Sequence, residues 1–164
     1  MEKLAYGMLA GIAATVGMTA AMHRMHARLP APERYPLPPR EIVGRIGGRP
    51  AGAGTAMLAH FGYGALTGGL FALQGRRSVP AGALYGAGVW AASYFGWVPL
   101  ARTLEPADRH PMRRNALMIA AHVLWGGLLA AGLREIEAGR RGGFRRPPGR
   151  ALADSPTGDP RSIR

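Results

Sequence analysis

Two histidines stand inside stretches of chain that carry no formal charge, His60 in residues 51–74 and His122 in residues 115–133. An imidazole titrates near neutral pH, can donate from one ring nitrogen while accepting at the other, and ligates iron and divalent metals. At matching depths, two of them can sense or pass a proton, or serve as the two ligands of a b-type haem or a metal held between helices. The plain alternative is a pair of neutral imidazoles, each donating to a backbone carbonyl or to a Thr or Ser of a neighbouring helix. Duplication of a helix with a structural His would produce the same symmetry.

A polar stripe precedes them. Thr15, Thr19, His23 and His26 follow one another at spacings of four, four and three, so they share one helical face, suited to turning inward toward His60. The competing fate of such threonines is a bond back to their own helix carbonyls. Glu33 with Arg34 and Asp108 with Arg109 are placed to form acid-base clamps at the mouth of a bundle. Enzymatic chemistry lacks its parts. No two carboxylates share an uncharged stretch, no Ser-His-Asp order has a soluble scaffold, and no Gly-rich strand-to-helix loop suggests phosphate binding. With no cysteine at all, thiolate metal sites, iron–sulfur ligation and thiol nucleophiles are excluded. The expectation is a non-enzymatic protein without a resident cofactor.

The elements that would hold these residues are legible from charge. Of 164 residues, Leu4–Met22, Ala51–Gln74, Ser78–Ala101 and Asn115–Leu133 form uncharged runs of 19, 24, 24 and 19 residues. A helix rising about 1.5 Å per residue crosses a hydrocarbon layer about 30 Å thick in about 20 residues. A buried helix of a water-soluble protein would be shorter and would show a polar face. We therefore expect an all-α, polytopic membrane protein with four transmembrane helices in residues 1–133. The runs are rich in Gly and Ala, which let helices approach closely in lipid. The small-residue pairs Gly7 with Gly11, Ala13 with Gly17, Gly64 with Gly68, Gly82 with Gly86, and Ala92 with Gly96 mark the packing faces. Trp90 and Trp125 suit packing near mid-span, Trp97 and Tyr6 an interfacial belt. A cleaved signal peptide is the rival reading of the first run, with Lys3 as its positive flank.

A duplication argues that the first run is retained. Tyr6, Gly7 and Gly17 match Tyr85, Gly86 and Gly96; Glu33-Arg34-Tyr35-Pro36-Leu37 matches Asp108-Arg109-His110-Pro111-Met112; and Ala59, His60, Tyr63, Gly64 and Leu66 match Ala121, His122, Trp125, Gly126 and Leu128. Each repeat, about residues 4–74 and 80–133, is then a helical hairpin, and the two are related by an axis along the membrane normal. The first has a surplus, Pro38 to Pro50, in which Ile42, Val43 and Ile46 fall on one helical face. This predicts a short interfacial helix lying on the bilayer, or else a partner-docking segment.

Tyr35-Pro36-Leu37-Pro38-Pro39-Arg40 after the first run, Pro99-Leu100 and Pro106 closing the third, and Ala121-His122-Val123-Leu124-Trp125 in the last give the chain a distant resemblance to the YagU-like bacterial inner-membrane proteins. The resemblance spans roughly Leu4 to Leu133. It implies an inner-membrane location and adds no mechanism.

A net charge of +12 would suit a nucleic-acid binder if it were spread through a soluble domain, but it lies in patches between the uncharged runs. Tracing four spans puts Lys3, Arg76, Arg77 and the eight arginines of the tail on one side, 11 in all, against 10 in the two long linkers. That difference barely orients the chain. A disordered arginine-rich tail, residues 134–164, is easier to leave in the cytoplasm than to translocate, which favours cytoplasmic termini. Anionic lipid headgroups are its expected partners, together with a protein partner or a second copy of the chain; nucleic acid is not expected, for want of an aromatic platform. These features favour a scaffold or partner-binding subunit, with transport or proton sensing through His60 and His122 as the alternative and bis-histidine haem or metal binding as a third.

Overall fold

The computed structural model describes residues 1–34, 38–48, 52–100, 109 and 111–143, with only the backbone of 38–41 and 143. Among the expectations above, those on Tyr35, Pro36, Leu37, Pro106, Asp108, His110 and residues 144–164 lie outside the described residues. All regular structure in the described residues is helical: α1 (Glu2–His26), a 3-10 turn (Ala31–Glu33), α2 (Pro38–Ile46), α3 (Ala53–Leu73), α4 (Val79–Ala92), a wide turn (Ser93–Trp97), α5 (Val98–Leu100) and α6 (Met112–Gly143). Three of these helices, α1, α3 and α6, are long and apolar enough to cross a membrane.

The third uncharged run is helical from Val79 to Leu100 but not continuous. Proline 99 lacks the N–H that would bond four residues back, and its ring crowds the carbonyl there. The helix responds by widening over Ser93–Trp97, with Gly96 outside helical dihedrals at φ −110° and ψ −108°. At its start, Pro80 sits in the first turn and Ser78 Oγ accepts from the Ala81 N–H at 3.3 Å, a side-chain cap on an otherwise orphaned donor. Gly75, at φ +74°, makes the tight turn from α3 into α4.

Helices α1, α3, α4 and α6 alternate in direction. Residues rising along α1 meet residues falling along α3 (Gly7 at Gly68, Gly11 at Gly64) and along α6 (Gly17 at Leu128, Ala10 at Gly132), while α4 meets α6 the same way (Gly82 at Gly126, Gly86 at His122). The bundle's main interfaces are α1 with α3, α4 with α6, and α1 with α6; α3 and α4, though adjacent in sequence, barely touch through their backbones. The interior mixes small residues at the helix crossings with large ones such as Met18, Met22, Met118 and Trp125. Ala10, Ala14, Ala72, Ala121 and Ala130 are buried with Phe71, Leu129 and Leu133, while Leu9, Val16, Leu58, Leu66 and Leu84 point outward. Large apolar groups on the outer surface and glycine crossings inside suit a hydrocarbon solvent, where close backbone approach replaces the hydrophobic effect as the source of helix association.

One expectation is corrected. Helix α6 does not stop at Leu133 but continues ten residues to Gly143, so the first third of the supposed disordered tail is ordered helix. Its extension is held by Ile136 against the core and by two ion pairs, Arg77 Nε to Glu137 Oε1 at 2.7 Å and Arg140 Nη1 to Glu2 Oε2 at 2.9 Å. The Arg140 guanidinium also lies 4.9 Å from the centre of the Tyr6 ring. Helix α2, expected as a short interfacial helix or a partner-docking segment, packs against α3. It ends at Gly48, φ +64°, a left-handed conformation open to glycine without strain.

The α1–α3 and α4–α6 crossings are both made through glycines, in a register one turn away from the one the sequence motifs suggest. Gly7 and Gly11 meet Gly68 and Gly64 as Gly82 and Gly86 meet Gly126 and His122. The sequence motifs pair Gly7 with Gly86 and Gly64 with Gly126, whereas the crossings pair Gly7 with Gly82 and Gly64 with His122. On each helix the two registers differ by four residues, about one turn.

Candidate functional site

Because α3 and α4 meet mainly through side chains, a space remains inside the bundle. It is a cavity of about 240 Å³, bounded by α1, α3, α4 with its wide turn, and α6, and covered by α2. Each helix presents one face at helical spacing: Thr15, Met18 and Met22 from α1; His60, Tyr63, Gly64 and Thr67 from α3; Val89, Ser93 and Trp97 from α4 and the turn after it; Met118, His122 and Trp125 from α6. Ile42, Val43 and Ile46 are the cover. Of the apolar face read from α2, Ile42 and Val43 are half-buried against the bundle while Ile46 is largely exposed.

Both intramembrane histidines line this one cavity, but their hydrogen bonding differs. The His122 Nδ1 lies 2.8 Å from the Met118 carbonyl oxygen one turn back on its own helix. A carbonyl can only accept, so Nδ1 carries the proton and Nε2 of the neutral ring is left with a lone pair. His60 Nε2 is buried with no hydrogen-bond partner, although its ring packs edge-on to Phe61 with centroids 6.2 Å apart. An unpaired polar atom in apolar surroundings is costly.

The remaining polar groups are largely satisfied. Tyr63 Oη and Ser93 Oγ share a hydrogen bond of 3.0 Å across the α3–α4 seam, and Tyr85 Oη donates to the Thr67 carbonyl at 2.7 Å. Thr67 Oγ1 donates to the Tyr63 carbonyl at 2.7 Å, Ser93 Oγ to that of Val89 at 2.8 Å, and Thr15 Oγ1 to that of Gly11 at 2.8 Å. Thr15 Oγ1 also accepts from the Trp125 indole N–H at 3.1 Å.

The polar stripe of α1 divides accordingly. Thr15 reaches the cavity; Thr19 bonds back to the Thr15 carbonyl at 2.7 Å, and His23 is exposed, so neither gathers with His60. The reason is drift of register: each step of four residues overshoots a full turn by about 40°, so Thr19 and His23 lie about 40° and 80° round the helix from Thr15. Of the linker clamps, Arg34 Nε donates to the Leu29 carbonyl at 2.6 Å and Arg109 is exposed. Among the described residues, no three His, Asp or Glu side chains gather as a metal-binding cluster.

Sequence reasoning missed Tyr63, Thr67 and Ser93 as site residues and treated Trp125 as packing alone. The signal was present for α3, since Tyr63 and Thr67 follow His60 at three and seven residues and share its face. That Ser93 joins them depends on how α4 packs, which spacing along one helix does not encode. Comparison of the chain with family models, with curated proteins and with solved structures finds no match.

Proposed function

We propose that this chain is a four-span protein of the bacterial inner membrane, similar in kind to the YagU-like proteins, that acts without catalysis as a binding subunit. Its working part is the cavity beneath α2. The carrying observation is that five separate elements converge on one apolar space of about 240 Å³, larger than the roughly 150 Å³ that suffices to hold a benzene molecule in a protein interior. A cavity of that size in a bundle of otherwise close-approaching glycines is a place kept open for a small apolar guest drawn from the bilayer. Arginine-rich ends hold the bundle against anionic headgroups.

The test uses the purified full chain in lipid nanodiscs. Bromobenzene quenches the fluorescence of Trp97 and Trp125, both of which line the cavity, and the expected quenching is saturable. It is lost in Val89→Phe, which fills the space. Linear quenching that is the same in both proteins overturns the reading.

The convergence of His60 and His122 on one cavity supports a second reading, proton sensing. Substituting both by Gln abolishes pH-dependent behaviour in reconstituted vesicles on that reading, and an unchanged response removes it.

A further inference from the structure

We infer that the guest is one acyl chain of an anionic phospholipid, inserted endwise into the cavity while its phosphate stays outside on Arg45, a reading that rests on the cavity being a binding site.

The cavity reaches the surface at one side. Ile46, Ala59 and Trp97 line it and are nevertheless exposed, Ile46 at 67% and Trp97 at 40%. The end of α2, the first half of α3 and the wide turn therefore frame an opening. Beside them on the same elements, Leu58, Phe95 and Leu100 also turn outward. An opening rimmed by large apolar side chains within a span faces hydrocarbon rather than water.

From there the cavity follows the bundle axis. Its wall extends along α3 from Ala59 to Thr67, along α1 from Met22 back to Thr15, and along α6 from Met118 to Trp125, which is about 10–12 Å on each helix. A slot parallel to the helices lies as the chains of the surrounding bilayer lie, and Met18, Met22 and Met118 give it a wall that adapts to a flexible guest.

The wall rewards hydrocarbon and penalises a buried head group. Thr15, Thr67 and Ser93 donate to carbonyls of their own helices, Tyr63 Oη shares its bond with Ser93, and the Trp125 N–H is held by Thr15. His60 Nε2 is closed off. No Asp, Glu, Lys or Arg stands among the described lining residues, so the polar end of a guest stays outside.

Charge for that end stands at the rim. Arg45, next to Ile46 on α2, is exposed and takes part in neither ion pair found among the described residues. Its long side chain reaches outward while Ile46 stays at the opening, and a guanidinium meets a phosphate through charge-assisted bonds. Trp97 places an amphipathic ring at the same rim, suited to the ester layer of a lipid. A free hydrocarbon would use the slot alone; an anionic phospholipid uses the slot and the arginine.

Trp125 lines the cavity and is almost fully enclosed, so it reports a chain inside. In the full chain carrying Trp90→Phe and Trp97→Phe it is the one tryptophan left. In nanodiscs of phosphatidylglycerol dibrominated at mid-chain, its fluorescence is expected to fall at least twofold against unbrominated discs, and Val89→Phe in that background to restore it. Absence of this quenching, or quenching that Val89→Phe leaves unchanged, overturns the lipid assignment and leaves the cavity reading intact where bromobenzene still quenches saturably. Loss of both kinds of quenching removes the cavity reading itself. Should the tryptophan variant fail to fold, native mass spectrometry of the unaltered chain decides. One retained phosphatidylglycerol per chain is expected, and its preference over phosphatidylcholine falls about fivefold in Arg45→Gln, the effect of one basic residue at an anionic surface. A chain that retains no phospholipid, or a preference that Arg45→Gln leaves unchanged, overturns the assignment.

Discussion

Trp125 has one hydrogen-bonding atom, an indole N–H, and its side chain is almost fully enclosed at 3% exposure. The N–H reaches Thr15 Oγ1 on α1, and the same hydroxyl donates to the Gly11 carbonyl, so one oxygen joins α6 to α1 and closes a turn of α1. Thr15→Val keeps the shape and removes both bonds. The buried N–H is then unpaired, at a cost of about 0.6–2 kcal/mol by the range seen for interhelical bonds in membranes. Stability against unfolding in mixed micelles of rising dodecyl sulfate content reads the loss, and Trp125→Phe in the same background is expected to add less than it does alone, because the interaction is already gone. His60 makes the contrast at this scale. Its presence within an uncharged run was legible from the sequence, as was the Thr15 face, but which ring nitrogen lacked a partner depends on the neighbours that α4 and α6 bring, and those are set by packing.

Glycine positions decide how the helices meet. A Cβ on Gly86 would collide with the His122 carbonyl oxygen, and one on Gly11 with that of Gly64, where backbone rather than a movable side chain stands in the way. Gly62 and Gly88 lie on the same two helix pairs with open space around them. Gly86→Ala is therefore expected to cost at least about 1–3 kcal/mol, the usual range for overpacking, while Gly88→Ala leaves stability unchanged or slightly raised through better helix propensity. Equal effects of the two would show that the crossing is not held by close backbone approach. The pairs Gly7 with Gly11, Gly64 with Gly68, and Gly82 with Gly86 were readable as packing faces, because small residues four apart make a groove whatever the partner is. The partner was not readable. Motif matching aligned the two hairpins a turn away from the register in which they cross, since His60 and His122 are alike in type yet only His122 presents its carbonyl to a glycine. Similarly, α2 was legible as an amphipathic helix, but its apolar face could have met lipid or protein equally well, and only the opening between α3 and α4 determines the choice.

Direction is a property of the whole chain, and two ion pairs constrain it. Glu2 at the start of α1 meets Arg140 near the end of α6, and Arg77 in the α3–α4 turn meets Glu137, so these three places share one end of the bundle. Each pair is at least partly exposed and contributes no more than about 1 kcal/mol, which makes them more useful as markers of position than as sources of stability. Helix α3 ends at the shared end and α6 begins at the far one, so the chain between Leu73 and Met112 must travel the length of the bundle. The broken helix Val79–Leu100 covers 22 residues of that path, and a break at Pro99 near the far end does not shorten it. This supports four crossings although three helices alone meet the length and hydropathy of a span. Nearly equal numbers of basic residues in the two sets of loops leave the sign of the orientation weakly determined, but the proposed four crossings would place both ends on one side. Reporters fused to the two termini are expected to give signals from one side of the membrane, the cytoplasmic side if the arginine-rich tail is retained there. Signals from opposite sides would require α4 and α5 to return without crossing, which would separate Glu2 from Arg140 and break the antiparallel α1–α6 interface that carries Thr15 and Trp125.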